Sequence, residues 1–211
     1  MSHNITVESG SSVRLPTAGK YCDRDIVVTA SGGGGDTSVE DSLVERTIIE
    51  YRNDRVTTVG LYAFTNITSL TSVDFPLVTT IKSNAFQYCS KLVSVNFPLV
   101  TSIGSSAFGY CAKITRMDFP LVTEINTSAF NRCTELRVLI LRSSSMATLK
   151  ATSAFSNTPI ASGKGYVYVP SALIDTYKTA TNWSTYADKF RALEDYTVDG
   201  TITGELDETK I

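Results

Sequence analysis

Three consecutive blocks of 22 residues superpose on one another without a gap. They are LTSVDFPLVTTIKSNAFQYCSK (Leu70 to Lys91), LVSVNFPLVTSIGSSAFGYCAK (Leu92 to Lys113) and ITRMDFPLVTEINTSAFNRCTE (Ile114 to Glu135). Every landmark keeps its place: Phe75, Phe97 and Phe119; Phe86, Phe108 and Phe130; Cys89, Cys111 and Cys133. Self-similarity at a fixed period of this size signals a solenoid, in which each unit buries its apolar edges only against its neighbours. That class of chain argues against an enzyme and names no ligand.

Within a block, Leu-x-x-Val-x-Phe predicts a β-strand with its larger residues turned inward. Pro76, Pro98 and Pro120 then end it, since proline cannot donate to a ladder. Leu-Val-Thr-x-Ile forms a second apolar edge, and Ser-x-Ala-Phe predicts a short helical turn closed by Cys. About six side chains per rung point inward, and rungs stack about 4.7–4.9 Å apart. The register extends back to a degenerate first repeat over residues 48–69, with Ala63-Phe64 in place of Ala85-Phe86. It extends forward through Leu136, Leu139 and Leu141 to Ala154-Phe155, with a three-residue insertion in RSSSMATLK.

The flanks differ in composition. Residues 1–31 read as a small β attachment unit, and residues 32–37, which contain Gly32, Gly33, Gly34 and Gly35, read as a flexible linker. The repeat solenoid occupies 38–160 with about five rungs. Residues 161–196 form a strand-and-helix cap: Gly165 to Pro170 as a strand, a helix carrying Leu173, Ile174 and Tyr177, and a second amphipathic stretch. That stretch carries Trp183, Tyr186, Ala187 and Phe190 at i, i+3, i+4 and i+7. Trp183 is expected to plug the open end of the core. Residues 197–211 form a tail with a hairpin signal at Asp199-Gly200.

Several chemistries are argued against. A net charge of −2 with 19% charged residues offers no basic face for nucleic acid. No apolar run is long enough to insert in a membrane. The only histidine is His3, which removes a Ser-His-Asp arrangement and a zinc site, and no nucleotide-binding or other cofactor motif is present. The repeated cysteines read as a ladder of small buried thiols. Asp74 and Asp118 share a column two rungs apart, about 9–10 Å by strand spacing. A shallow face lacks the walled cleft a glycosidase needs.

Two outward surfaces remain as candidate binding faces. The strand residues between the inward ones give columns of Ser72, Ser94 and Arg116, and of Asp74, Asn96 and Asp118, acceptors suited to a hydroxyl-rich ligand. A second strip follows Ala-Phe: Tyr88, Tyr110 and Arg132, where tyrosine supplies contact area at small entropy cost.

The repeat L-x-x-V-x-F-P-L-V-T-x-I-x-x-x-A-F-x-x-C resembles the BspA-like leucine-rich repeat family over Ile48 to Pro159. YVYVPSALIDTYKTATNWSTYADKF is similar to the ending of such proteins. The resemblance implies an α/β solenoid with a β-sheet on one face and an α-helical C-terminal cap, and a role in adhesion. GSSVRLPTAGKYCDRDIVVTA with its glycine run resembles N-terminal modules of bacteriophage and prophage tail-associated proteins. The opening residues show no secretory signal. The leading expectation is therefore a non-enzymatic module on a phage or prophage tail. It would join other virion proteins through residues 1–31, contact a bacterial surface glycan or protein, and self-associate. The alternative is a BspA-type bacterial surface adhesin, and a glycan-processing enzyme ranks third.

Overall fold

The computed structural model describes residues 50–196 and four short strands before them: β1 (Asn4–Thr6), β2 (Ser12–Arg14), β3 (Thr29–Ala30) and β4 (Thr37–Val39). His3, Cys22, Gly32 to Gly35 and the tail 197–211 lie outside the described residues, as does most of the expected attachment unit.

From residue 50 the chain winds into rungs that contribute two strands each. The first kind comprises β5 (Glu50–Arg52), β7 (Ser72–Asp74), β9 (Ser94–Asn96), β11 (Arg116–Phe119) and β13 (Val138–Leu141). The second comprises β6 (Thr58–Val59), β8 (Thr80–Ile81), β10 (Ser102–Ile103), β12 (Glu124–Ile125) and β14 (Thr148–Leu149). Neighbours within each group pair in parallel, at the 22-residue repeat offset except β12 with β14, as in Val73 with Val95 and Ile81 with Ile103. The first kind splits into a three-stranded group, β5-β7-β9, and a four-stranded group beginning at β11. The second kind forms one sheet, β14-β12-β10-β8-β6-β4-β3.

The core runs through the stack. In one rung Leu70, Val73, Phe75, Val78, Ile81, Ala85, Phe86 and Cys89 are all buried, which is more than the six inward side chains expected. Fully burying one such apolar side chain contributes about 1.5–3 kcal/mol. Phe64, Phe86, Phe108, Phe130 and Phe155 stack ring on ring at 5.1, 5.2, 5.9 and 5.4 Å, with interplanar angles of 18° or less. The threonine of Phe-Pro-Leu-Val-Thr has a structural use: Thr79, Thr101 and Thr123 each donate a hydroxyl hydrogen bond to the carbonyl one rung back.

Each buried thiol, Cys89, Cys111 and Cys133, donates through Sγ to the carbonyl of Phe64, Phe86 or Phe108, at 3.0–3.1 Å. Burial pushes Cys89 and Cys133 from 9.0 up to about 12, and Cys111 upward as well. The raised values favour the neutral thiol, so this stabilisation is whole below about pH 9 and is lost as pH rises through about 12. Only the thiolate reacts. Iodoacetamide at pH 8 is expected to leave these three cysteines unmodified in the native chain and to alkylate them in guanidinium, as peptide mass spectrometry would show.

The segment expected to be a helical turn is a tighter device. Tyr62, Phe64 and Asn66 donate backbone N–H groups to Ser83, Ala85 and Gln87, and the same three-bond pattern joins the next two pairs of rungs. Every one of these N–H groups points toward the following rung. Left-handed backbone flanks the pattern, with positive φ at Tyr62 and Asn66, Asn84 and Tyr88, Ser106 and Tyr110, and Ser128 and Arg132. Only the last rung closes as a 3-10 helix, Thr152–Phe155.

Before the first rung, β4 pairs with β6 and β3 pairs with β4, so strands on both sides of the glycine run join the large sheet. Two expectations need correction. Of the three inserted residues, two precede β14, where the offset becomes 24 (Glu124 with Thr148), and one follows it. The stretch from Trp183 is no amphipathic α-helix: Trp183–Lys189 is 3-10, broken at Tyr186, and Phe190 opens a strand. A period read from four side chains cannot separate 3.6 residues per turn from two short 3-10 turns.

Beyond the insertion come α1 (Pro159–Ser162), β15 (Tyr166–Val169), α2 (Ile174–Thr179) and β16 (Phe190–Ala192). β15 and β16 extend the four-stranded group to β11-β13-β15-β16. Side chains of this segment meet the last rung's backbone. Trp183 Nε1 donates to the Ala147 carbonyl at 2.7 Å, and Tyr177 Oη accepts from the Ala147 N–H at 2.8 Å. Asn182 donates to the Leu149 carbonyl. These bonds occupy groups of the β14 edge that would otherwise be open to pairing.

Candidate functional site

The repeat places the first candidate face in register. Ser72 lies beside Ser94, and Asp74 beside Asn96, while Arg116 and Asp118 occupy the matching positions of β11. Their acceptors, however, are already occupied. Asp74 accepts from Arg52 Nη1 at 2.7 Å and from Asn96 Nδ2 at 2.8 Å. Asp118 accepts from Arg116 at 3.1 Å and from Arg142 through two guanidinium nitrogens, at 2.9 and 2.7 Å. The Asp118 contact holds the Arg142 guanidinium charged to still higher pH than usual. Bidentate pairing of this kind fixes geometry as well as charge. A hydroxyl-rich ligand would have to displace guanidinium groups here.

Sequence reasoning missed Arg52 and Arg142. The signal was available: Arg142 stands 22 residues after Pro120, where three repeats carry proline, and Arg52 stands 22 before Asp74.

The same outer face closes over toward the C-terminus. Ile140, which continues the column of Asp74, Asn96 and Asp118, is buried with Tyr168 and Tyr196, and Val138, Tyr166 and Leu193 pack around them. Tyr168 and Tyr196 have ring centroids 4.9 Å apart, and the guanidinium of Arg116 lies 5.3 Å from the Tyr196 ring. Arg191 stands 4.1 Å over Tyr166. Glu194 pins this cover: its carboxylate accepts from the Ser171 N–H and hydroxyl, and its own backbone N–H together with these Ser171 donors holds it below the usual carboxylate range.

The second strip has a different character. Tyr88 and Tyr110 approach to 4.5 Å between ring centroids, and the Arg132 guanidinium lies 5.3 Å from the Tyr110 ring. Three consecutive rungs thus present tyrosine, tyrosine and arginine as one continuous surface. Tyr88 is 39% exposed despite its size.

All three residues are in the left-handed region, with φ of 64°, 64° and 59°. In the rungs on either side the same column holds Asn66 and Asn157, also left-handed. Asparagine tolerates that conformation; a bulky side chain in it costs about 1–3 kcal/mol unless the surroundings impose it. Inter-rung hydrogen bonds impose it here, Tyr88 N–H to Gly109 and Tyr110 N–H to Asn131, both at 2.8 Å.

Among the described residues there is no cluster of three or more His, Cys, Asp or Glu side chains able to hold a metal ion. No described helix is long and apolar enough to cross a membrane.

Residues 52–175 match the BspA type leucine rich repeat region, in 6 copies. Among curated proteins none matches the chain. A leucine rich cell surface protein from Faecalibacterium prausnitzii A2-165 has a similar solved structure, with TM-score 0.58 and 22% identity. The alignment covers 75% of this chain and 40% of that one, so the likeness is one of fold over less than half of the larger protein. With more than half of its length in repeats that follow one family pattern, the chain belongs to the BspA type leucine-rich repeat family.

Proposed function

We propose that this chain is a non-catalytic binding module of a bacterial cell surface, and that Tyr88, Tyr110 and Arg132 form its contact strip. The observation that carries this reading is the placement of two tyrosines and an arginine on strained, left-handed backbone, where the flanking rungs use asparagine. Large exposed side chains in a costly conformation serve something other than the core, which is complete without them. The similar fold of a leucine rich cell surface protein supports display at the surface. The sheet face of Ser72, Asp74, Ser94, Asn96, Arg116 and Asp118 acts in this reading as a structural ladder, because its carboxylates are held by Arg52, Arg116 and Arg142.

The phage or prophage tail reading, with virion proteins as partners, draws on the flanks alone. Neither the family match nor the similar structure supports it.

Replacing Tyr88 and Arg132 together by asparagine is expected to lower adhesion of the chain, displayed on beads, to intact bacteria or cultured epithelial cells by at least tenfold. Serine at Asn96 should leave adhesion within twofold. Both variants should retain the parent circular dichroism spectrum, because asparagine suits the left-handed sites and position 96 is exposed. Undiminished adhesion of the double variant would refute the strip.

A further inference from the structure

Tyr110 has a neighbour on each side, Tyr88 at 4.5 Å and Arg132 at 5.3 Å, so its faces are taken. Among the described residues Tyr88 has a ring neighbour only on the Tyr110 side, and the rung before it carries the short, exposed side chain of Asn66. An aromatic face thus stands over a shelf that ends in a free-standing amide. Gln87 and Asn131 put further amides beside the strip, and the other exposed apolar side chains, Leu61, Tyr62, Leu77, Val93, Leu99 and Leu121, occupy other positions of the repeat. The strip is one side chain wide. A stable protein interface needs roughly 800 Å² per partner around an apolar centre, which Tyr88, Tyr110 and Arg132 by themselves do not supply. A chain of pyranose rings, apolar on their faces and polar at their edges, fits stacking on Tyr88 with hydrogen bonds to flanking amides.

Charge narrows the class further. Lys91 and Lys113 follow the tyrosines by three residues, and Arg132 ends the strip; among the described residues the salt bridge made by these cations is that of Lys113 with Glu135, at 2.6 Å. Lys91 is exposed. Three cations against one anion stand out on a chain whose net charge is −2. We infer that the strip takes an anionic polysaccharide, a sugar ring stacking on Tyr88 above Asn66 and separate carboxylates or phosphates of the polymer meeting Lys91 and Arg132. This inference rests on the binding role of the strip proposed above.

The test is a 1H–15N NMR titration of the full chain with a galacturonate hexasaccharide and with its methyl-esterified, neutral form. Saturable shifts at the amides of Asn66, Tyr88, Lys91, Tyr110 and Arg132 are expected with the acidic oligomer. Binding should weaken at least tenfold in the neutral oligomer, in Tyr88→Asn, and on raising salt from 0.05 to 0.5 M, since exposed charges are screened. Equal affinity for both oligomers would overturn the anionic class. No saturable shift with either, while the Tyr88→Asn, Arg132→Asn chain still loses cell adhesion, would overturn the polysaccharide and point to a protein ligand for the same strip. No shift together with full adhesion of that variant would remove the strip itself.

Discussion

Phe108→Ala is expected to split the cooperative unfolding of the repeat stack and to cost about 3–5 kcal/mol, the range for removing a fully buried aromatic ring. Phe108 has no exposed surface and lies between Phe86 and Phe130, nearly parallel to each, at 5.2 and 5.9 Å. Phe97 meets it edge-on at 6.1 Å, and Phe119 lies 6.3 Å away. Removing the ring therefore empties a space shared by three rungs. Repeat stacks hold together through nearest-neighbour interfaces, so a defect at the centre weakens both adjoining ones. A loss of this size is a large part of the 5–15 kcal/mol that stabilises an ordinary domain. Urea titrations followed by circular dichroism should show a shifted, broadened or biphasic transition. Phe108→Leu, which keeps much of the volume, should stay closer to the parent. A single sharp transition displaced by less than about 1 kcal/mol in Phe108→Ala would mean that the ladder is not a continuous core.

Trp183→Ala should cost a similar amount and also change the state of association. Trp183 is fully buried against Phe155, Tyr177 and Phe190, at 5.4–5.7 Å. Its indole N–H is the partner of the Ala147 carbonyl at 2.7 Å. Alanine leaves a cavity worth about 3–5 kcal/mol and an unpaired buried carbonyl worth about 1–3 kcal/mol, with relaxation reducing the sum. The second consequence follows from position. Ala147 adjoins β14, the edge of the seven-stranded sheet, and an uncovered parallel edge templates pairing with another chain. Light scattering after size exclusion should show higher oligomers for Trp183→Ala. Trp183→Phe keeps most of the packing and loses only the hydrogen bond, so it should remain closer to the parent with a modestly lower melting temperature. A monomeric Trp183→Ala with an unchanged melting temperature would show that the end of the stack is sealed by other residues.

The strip illustrates how a site can be partly written in a repeat. Because residues 22 apart must stack, the column Tyr88, Tyr110, Arg132 follows from register alone. Its strain does not. Gly or Asn usually marks left-handed backbone, yet six of the eight paired flanking positions hold Tyr, Ser or Arg across successive rungs, Ser106 and Ser128 among them. Local preference is overridden there by three inter-rung hydrogen bonds per turn, which exist only once two rungs have met.

The first candidate face shows the opposite outcome. Asp74 and Asp118 read as open acceptors so long as their rung neighbours are ignored, and both are held by arginines from adjacent rungs. The outer cover of Ile140, Tyr168 and Tyr196 has no period at all, since its members come from three different elements.

What the amino-acid order determined alone is the parallel stack, its register, its inward phenylalanines and its buried thiols, because like residues at a constant spacing have one way to bury themselves together. What only the tertiary structure decided is the left-handed turns, the pairing of the acidic ladder, the 3-10 and strand character of the segment after Trp183, and the side of the sheet that is closed. Each of these depends on partners brought together across rungs or from the chain end, and a contact between unlike residues leaves no period in the sequence to read.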